Sequence, residues 1–147
     1  MPFVVGLTGG AASGKSTAGA LFQALGAALI DADAVSHALT GREGKALGAI
    51  EKAFGQDFIS DGALNRPRMR ELVFHDKAAR SELEAILHPL IARELKKAVL
   101  SSRGPYVVLE AALLVEKDSW RTLVNRLLVV DVPECVQIER MMRLRNL

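Results

Sequence analysis

The 147-residue chain is half hydrophobic and 24% charged, a balance that excludes a disordered or fibrous protein and predicts one globular domain. Its formal net charge of +2 is too small to indicate nucleic-acid binding, and we find neither a membrane-length apolar stretch nor a signal peptide, so we expect no nucleic-acid or membrane partner. The single cysteine, Cys135, cannot form an internal disulfide, which fits a cytoplasmic location, and the sequence leaves the oligomeric state open.

The first elements of the chain predict a βαβ unit. Residues 3–8 form a short apolar run with β-branched side chains, typical of a strand buried on both faces. Apolar residues recur at helical spacing over residues 15–25, and Gly26 follows where a helix stop belongs. Residues 27–31 then predict a second strand.

A phosphate-binding motif lies between the first strand and the first helix. The segment GGAASGKS at residues 9–16 matches G-x-x-x-x-G-K-[ST] in the structural context that this motif requires. Its glycines allow successive backbone N–H groups to face phosphate oxygens, and the helix start adds positive potential. We predict that Lys15 reaches the β- and γ-phosphates of ATP and that the Ser16 hydroxyl binds Mg²⁺. The predicted ATP-binding residues are Gly9, Gly10, Ala11, Ala12, Ser13, Gly14, Lys15, Ser16 and Thr17.

Two carboxylates, Asp31 and Asp33, close the second strand. One could hold Mg²⁺ through its water while the other accepts a proton from an attacking hydroxyl, as a kinase requires. The alternative interpretation makes one of them the N-cap of the following helix.

The middle of the chain, residues 34–103, shows helical periods and no convincing strand, so we predict an all-helical insertion. Asp61-Gly62 predicts a turn, and Pro89 should break or restart a helix after His88. Arg66 and Arg70 share a face if their segment is helical and could contact phosphates of an acceptor, although a solvated basic face is the alternative.

Two further strands and a last helix complete the predicted core. Residues 106–110 and 126–131 have the composition of buried strands and each ends in a carboxylate, and Pro133 suits the start of a helix from Glu134 to about Met142.

The predicted fold class is α/β, with a P-loop NTPase-type parallel sheet flanked by helices. Its core comprises residues 1–33 and 104–139, the insertion residues 34–103, and the start of a lid residues 140–147. Ligands bind beyond the carboxyl ends of parallel strands, so Gly9, Asp31, Glu110 and Asp131 could converge on one crevice.

Four segments, in this order and spacing, resemble the dephospho-CoA kinase family: VGLTGGAASGKST at 5–17, IDAD at 30–33, LHPL at 87–90 and LLVE at 113–116. The resemblance implies Mg²⁺-dependent transfer of phosphate from ATP to the ribose 3′-hydroxyl of dephospho-CoA, the last step of coenzyme A synthesis. It further implies that Asp33 is the base, that Lys15 and Arg140 stabilise the transferring phosphate, and that His88 and Leu113 belong to the acceptor site. For His88, a ring packed in the core is the alternative.

The resemblance weakens at the chain end, where RLRNL at 143–147 departs from the arginine–aspartate pattern of the family's lid. Members of the family continue further, so we expect an uncovered sheet edge and weakened turnover in this chain. Two other functions stay open: another P-loop kinase acting on a nucleoside monophosphate or small hydroxy acid, and a nucleotide-binding switch or non-catalytic remnant. The sequence lacks Asn-Lys-x-Asp, which argues against a GTPase switch.

Overall fold

The computed structural model describes residues 2–10, 13–111, 122–131 and 133–145. The described elements, in chain order, are β1 (Val4–Gly9), α1 (Lys15–Ala24), β2 (Ala28–Asp31), α2 (Ala32–Thr40), α3 (Leu47–Phe54), a 3₁₀ turn (Gln56–Phe58), β3 (Ile59–Ser60), β4 (Ala63–Leu64), α4 (Arg66–His75), α5 (Lys77–Ser101), β5 (Val107–Glu110), β6 (Arg126–Val130) and α6 (Glu134–Arg145).

A parallel sheet with the strand order β2-β5-β1-β6 organises the fold. Its inner strands β1 and β5 are apolar on both faces, and their Val4, Leu7, Val108 and Leu109 side chains are fully buried. The four predicted strands and the predicted α/β class are confirmed. Since all four strands run the same way, their carboxyl ends lie along one edge of the sheet.

Strand β6 differs from the buried strand that the sequence predicts. Leu127, Leu128 and Val129 are 43%, 39% and 54% exposed. The reason is position, because among the described residues β6 pairs only with β1 and therefore forms the edge of the sheet. Adjacent strand residues point to opposite faces, so β6 is exposed on both.

The chain divides into two compact units. The first contains Met1–Asp33 and Leu95–Leu147, and the second contains Ala34–Glu94. The insertion expected from the sequence extends to residue 103, whereas the second unit ends at Glu94, inside α5.

The second unit is not all-helical, and this part of the sequence-based expectation is wrong. Strands β3 and β4 form a small antiparallel hairpin in which Ile59 pairs with Leu64 and Ser60 with Ala63. The predicted turn connects them, with Asp61 at φ 54° and Gly62 at φ 77°. Two consecutive left-handed residues suit the twist of a two-residue hairpin, whose strands are too short to show a hydrophobic period.

Helix α5 runs through Pro89, so the predicted break after His88 is also wrong. Proline removes one helical hydrogen bond, which leaves the carbonyl of Ala85 without its usual donor. Ala85 and Pro89 are exposed, so water can reach that carbonyl. After the proline, Ile91, Leu95 and Val99 are buried at four-residue spacing, so this part of the helix packs along one face. No described helix, including this 25-residue one, is long and apolar enough to cross a membrane.

Candidate active site

The phosphate loop lies where the motif predicts it, between β1 and α1. Gly14, the N-cap of α1, has φ 102°, a backbone conformation that residues other than glycine rarely adopt. The helix start has no side-chain cap and no acidic residue in its first turn. Backbone N–H groups at such a helix start favour an anion. Ala11 and Ala12 lie outside the described residues.

The loop packs tightly against the end of β6. A Cβ atom added to Gly9 would stand 2.6 Å from the Ser13 Oγ and 2.6 Å from the Val130 carbonyl oxygen. The Ser13 N–H donates to the Gly10 carbonyl at 3.2 Å, which closes a turn within the loop. Ser13 is only 4% exposed, and its hydroxyl has no hydrogen-bond partner among the described residues. A buried hydroxyl of this kind can form a hydrogen bond with a polar atom of a bound ligand.

A carboxylate to which the sequence assigned no role contacts the motif. The Ser16 hydroxyl donates to Glu110 Oε1 at 3.0 Å, and Glu110 is only 8% exposed. Glu110 ends β5, in register with Leu7 on one side and Asp31 on the other. Its other oxygen lies 3.1 Å from the position of a Cβ on Gly19, so α1 packs closely over it. In the sequence, Glu110 was recognisable only as a carboxylate at the end of a buried strand. That position predicted its place in the crevice but not its contact with Ser16.

The two aspartates after β2 have different surroundings. The Asp33 N–H donates to Asp31 Oδ1 at 3.0 Å, and α2 begins at Ala32. Asp31 therefore caps the start of α2, as the alternative interpretation proposed. Asp33 lies in the first helical turn with an exposed side chain. Asp31 is paired in register with Glu110, which places two carboxylate-bearing residues at neighbouring strand ends.

Helix α6 brings Arg140 to the phosphate loop. The Arg140 Nη1 donates to the Ser13 carbonyl at 3.3 Å, across 127 positions of sequence. Gln137, which no sequence pattern singled out, lies one turn earlier, and its side-chain nitrogen is the atom nearest to a Cβ built on Gly10. The structure thus adds Glu110 and Gln137 to the residues at this site.

The predicted acceptor residues lie mainly in the second unit. His88 is half-buried within α5. Arg66, at the start of α4, donates through Nη2 to the His37 carbonyl at 3.3 Å, and Arg70 is exposed one turn further on. Leu113 lies outside the described residues.

The parallel sheet carries its glycine-rich loop at the end of an inner strand, and an uncapped helix follows the loop. A strand-end carboxylate accepts a hydrogen bond from the motif serine. Together these features define a P-loop nucleotide-binding protein. The family model described as Dephospho-CoA kinase matches residues 3–147. The chain belongs to the dephospho-CoA kinase family.

Similar proteins agree with this assignment. The chain is 50% identical over 138 residues to a dephospho-CoA kinase of Nitrosospira multiformis, covering 93% of this chain and 69% of that protein. A dephospho-CoA kinase of Burkholderia lata is 49% identical over 142 residues, covering 96% of this chain and 70% of the relative. The chain thus spans about 70% of the length of these relatives.

Solved structures share the fold. The protein TT1252 from Thermus thermophilus superposes with a TM-score of 0.84 at 32% identity, over 99% of this chain and 74% of that one. A dephospho-CoA kinase from Campylobacter jejuni gives a TM-score of 0.67 at 23% identity, over 98% of this chain and 73% of that one. At that identity the second likeness concerns the fold alone.

Proposed function

We propose that the chain transfers the γ-phosphoryl group of ATP to the ribose 3′-hydroxyl of dephospho-CoA, producing coenzyme A and ADP. Family membership supports the reaction, since the relatives are named dephospho-CoA kinase. The observation that carries the proposal is Gly14 of the phosphate loop, which adopts the left-handed conformation before an uncapped helix start. The lone Cys135, which is exposed and has no internal cysteine partner, favours a reducing, cytoplasmic location.

The phosphate chain of ATP is proposed to bind the loop at residues 9–17. Lys15 begins α1 and is the motif residue that reaches the β- and γ-phosphates. The buried Ser13 hydroxyl provides a further polar group within the loop. Arg140 contacts the Ser13 carbonyl, so its guanidinium lies at the loop that would hold the phosphates. An arginine in this role contributes about 10³- to 10⁵-fold to phosphoryl transfer.

The residues around Ser16 fit Mg²⁺. This ion prefers oxygen ligands and is commonly held by one or two carboxylates together with nucleotide phosphates. Ser16 and Glu110 already form a hydroxyl–carboxylate pair, and Asp31 lies at the neighbouring strand end. When bound, Mg²⁺ would neutralise charge on the β- and γ-phosphates. We assign Ser16 as a ligand, with Asp31 and Glu110 acting directly or through water.

Asp33 is proposed as the general base. The acceptor oxygen forms a bond to the γ-phosphorus while the bond to the β-phosphate bridging oxygen breaks, and Asp33 takes the hydroxyl proton. Its exposed carboxylate at the start of α2 is accessible to such an acceptor. We also assign acceptor binding to His88 and Leu113, and to Arg66 and Arg70 as cations that suit the acceptor's phosphates.

A direct test combines the chain with ATP, Mg²⁺ and dephospho-CoA and measures coenzyme A by mass spectrometry. Asp33→Asn should lower the rate about 10²- to 10⁴-fold while ATP affinity is retained. Asp61→Asn, a matched change in the exposed turn of the β3–β4 hairpin, should leave the rate unchanged.

Acceptor profiling separates the alternatives. Phosphorylation of AMP or another nucleoside monophosphate in preference to dephospho-CoA would replace the proposed acceptor. ATP binding without phosphorylation of any acceptor would leave a nucleotide-binding protein without turnover.

A further inference from the structure

Helix α6 contacts the phosphate loop through two side chains that lie one helical turn apart. Arg140 donates to the Ser13 carbonyl at 3.3 Å, which secures the second half of the loop. Gln137 lies against Gly10, in the first half. Residues at this spacing share a helix face, so α6 presents both side chains to the loop together.

Helix α6 follows closely on the strand before it, since β6 ends at Val130 and α6 begins at Glu134. The Val136 and Gln137 N–H groups donate to the Pro133 carbonyl at 3.0 and 3.1 Å, which closes the first turn of the helix. Strand β6 is paired with β1, the strand that leads into the loop. The first turns of α6 lie beside the loop, where Gln137 meets Gly10.

The Gln137 side chain occupies the space that a side chain at residue 10 would take, and its flexible amide end could move aside for one. Gly10 does not have a left-handed φ, unlike Gly14 at 102°, so its backbone alone does not require glycine. A Cβ on Gly10 would collide with Gln137 Nε2, and the next two atoms that it meets, Cδ at 3.5 Å and Oε1 at 3.8 Å, belong to the same amide. The space beside Gly10 is filled by this side chain.

We propose that Gln137 is a positioning residue for ATP: its amide packs on Gly10 and, with Arg140 on Ser13, holds the phosphate loop in its binding conformation. Gln137 acts on the loop rather than on the transferred group. The proposal rests on the function proposed above, but it concerns ATP affinity and is independent of the acceptor.

A double-mutant cycle tests the contact. Gly10→Ala should weaken ATP binding, measured with a fluorescent ATP analogue, by about the same factor as Gln137→Ala, because the methyl group meets only the flexible end of the Gln137 side chain and displaces it from the loop. Gln137→Ala should weaken binding because the loop loses one support, raising KM for ATP more than it lowers kcat. In the double variant the contact is already lost, so the two effects should not add and affinity should equal that of either single variant.

Gly14→Ala provides the matched control. Its defect arises from backbone strain at φ 102°, so it should add to that of Gln137→Ala. Additive effects of Gly10→Ala and Gln137→Ala, or equal non-additivity of Gly14→Ala with Gln137→Ala, would overturn the proposal. Should Gly10→Ala fail to fold, thermal unfolding supplies the readout: recovery of folding in the double variant supports the contact and no recovery refutes it. A lack of coenzyme A formation by the unmodified chain would refute the proposed function but not this cycle.

Discussion

The Ser16–Glu110 hydrogen bond joins the phosphate loop to the carboxyl end of β5 and is a direct target for mutation. Glu110→Gln keeps the shape of the side chain but removes the charge that suits a bound cation. Changes to residues that orient a metal ligand typically lower metal affinity 10- to 100-fold. We therefore expect the Mg²⁺ concentration for half-maximal activity to rise about 10- to 100-fold.

The matched control for this measurement is Glu82→Gln, since Glu82 is an exposed carboxylate on α5. A Mg²⁺ titration of initial rates distinguishes the two variants. An unchanged Mg²⁺ requirement in Glu110→Gln would remove Glu110 from the proposed cation site.

Local signals could predict only part of the site. The phosphate-loop motif from Gly9 to Ser16 was predictable because all of its residues are consecutive in the sequence. The contact between Ser16 and Glu110 spans 94 positions and depends on which strands become neighbours. Gln137 was not predictable because its relevance comes only from the distance between its amide and Gly10. The roles assigned to individual residues remain proposals, whether in ATP binding at residues 9–17, in catalysis, in Mg²⁺ binding or in acceptor binding: Lys15, Ser16, Asp31, Asp33, Arg66, Arg70, His88, Leu113 and Arg140.

At the scale of elements, a side-chain cap marks the start of α5. Asp76 precedes α5 and accepts hydrogen bonds through Oδ1 from the N–H groups of Ala78 and Ala79 at 3.0 and 3.1 Å. Asp76→Ala removes these acceptors and should lower the free energy of unfolding by about 0.5–2 kcal/mol. Asp76→Asn retains a capping oxygen and should stay within a few tenths of a kcal/mol. Urea denaturation of both variants measures the difference, and equal destabilisation would show that the cap is unimportant.

The elements themselves were predictable where they were long or buried. Periodic or continuous apolar patterns mark helix α1 and strands β1, β2 and β5, and they can be recognised in the sequence alone. The β3–β4 hairpin was missed because two-residue strands have no period, although the Asp61-Gly62 turn was visible. The break predicted at Pro89 did not occur, and the Ala85 carbonyl that loses its helical donor there lies on an exposed residue, where water can reach it.

At the scale of the whole molecule, β6 is an edge strand among the described residues, and its exposed apolar side chains predict self-association of this chain. Edge strands with apolar side chains pair readily with other chains, and lysine on the edge is a natural means of preventing this. Val129→Lys should therefore reduce concentration-dependent association, measured by sedimentation velocity. Leu100→Lys is the matched control, because Leu100 is 56% exposed but lies on α5, away from the edge. An equal effect of both lysines, or association unchanged by Val129→Lys, would show that β6 is not the contact.

Both boundaries of the second unit fall inside helices rather than in loops. The junction of Asp33 with Ala34 lies in α2, and that of Glu94 with Leu95 lies in α5. Excision of this unit at the gene level would cut each helix and leave stubs too short to stay helical in water. A recombination event that exchanged this unit between related chains would have to conserve helix length and phase at both junctions. The unit is therefore easier to change by substitution within it than by exchange of the whole unit.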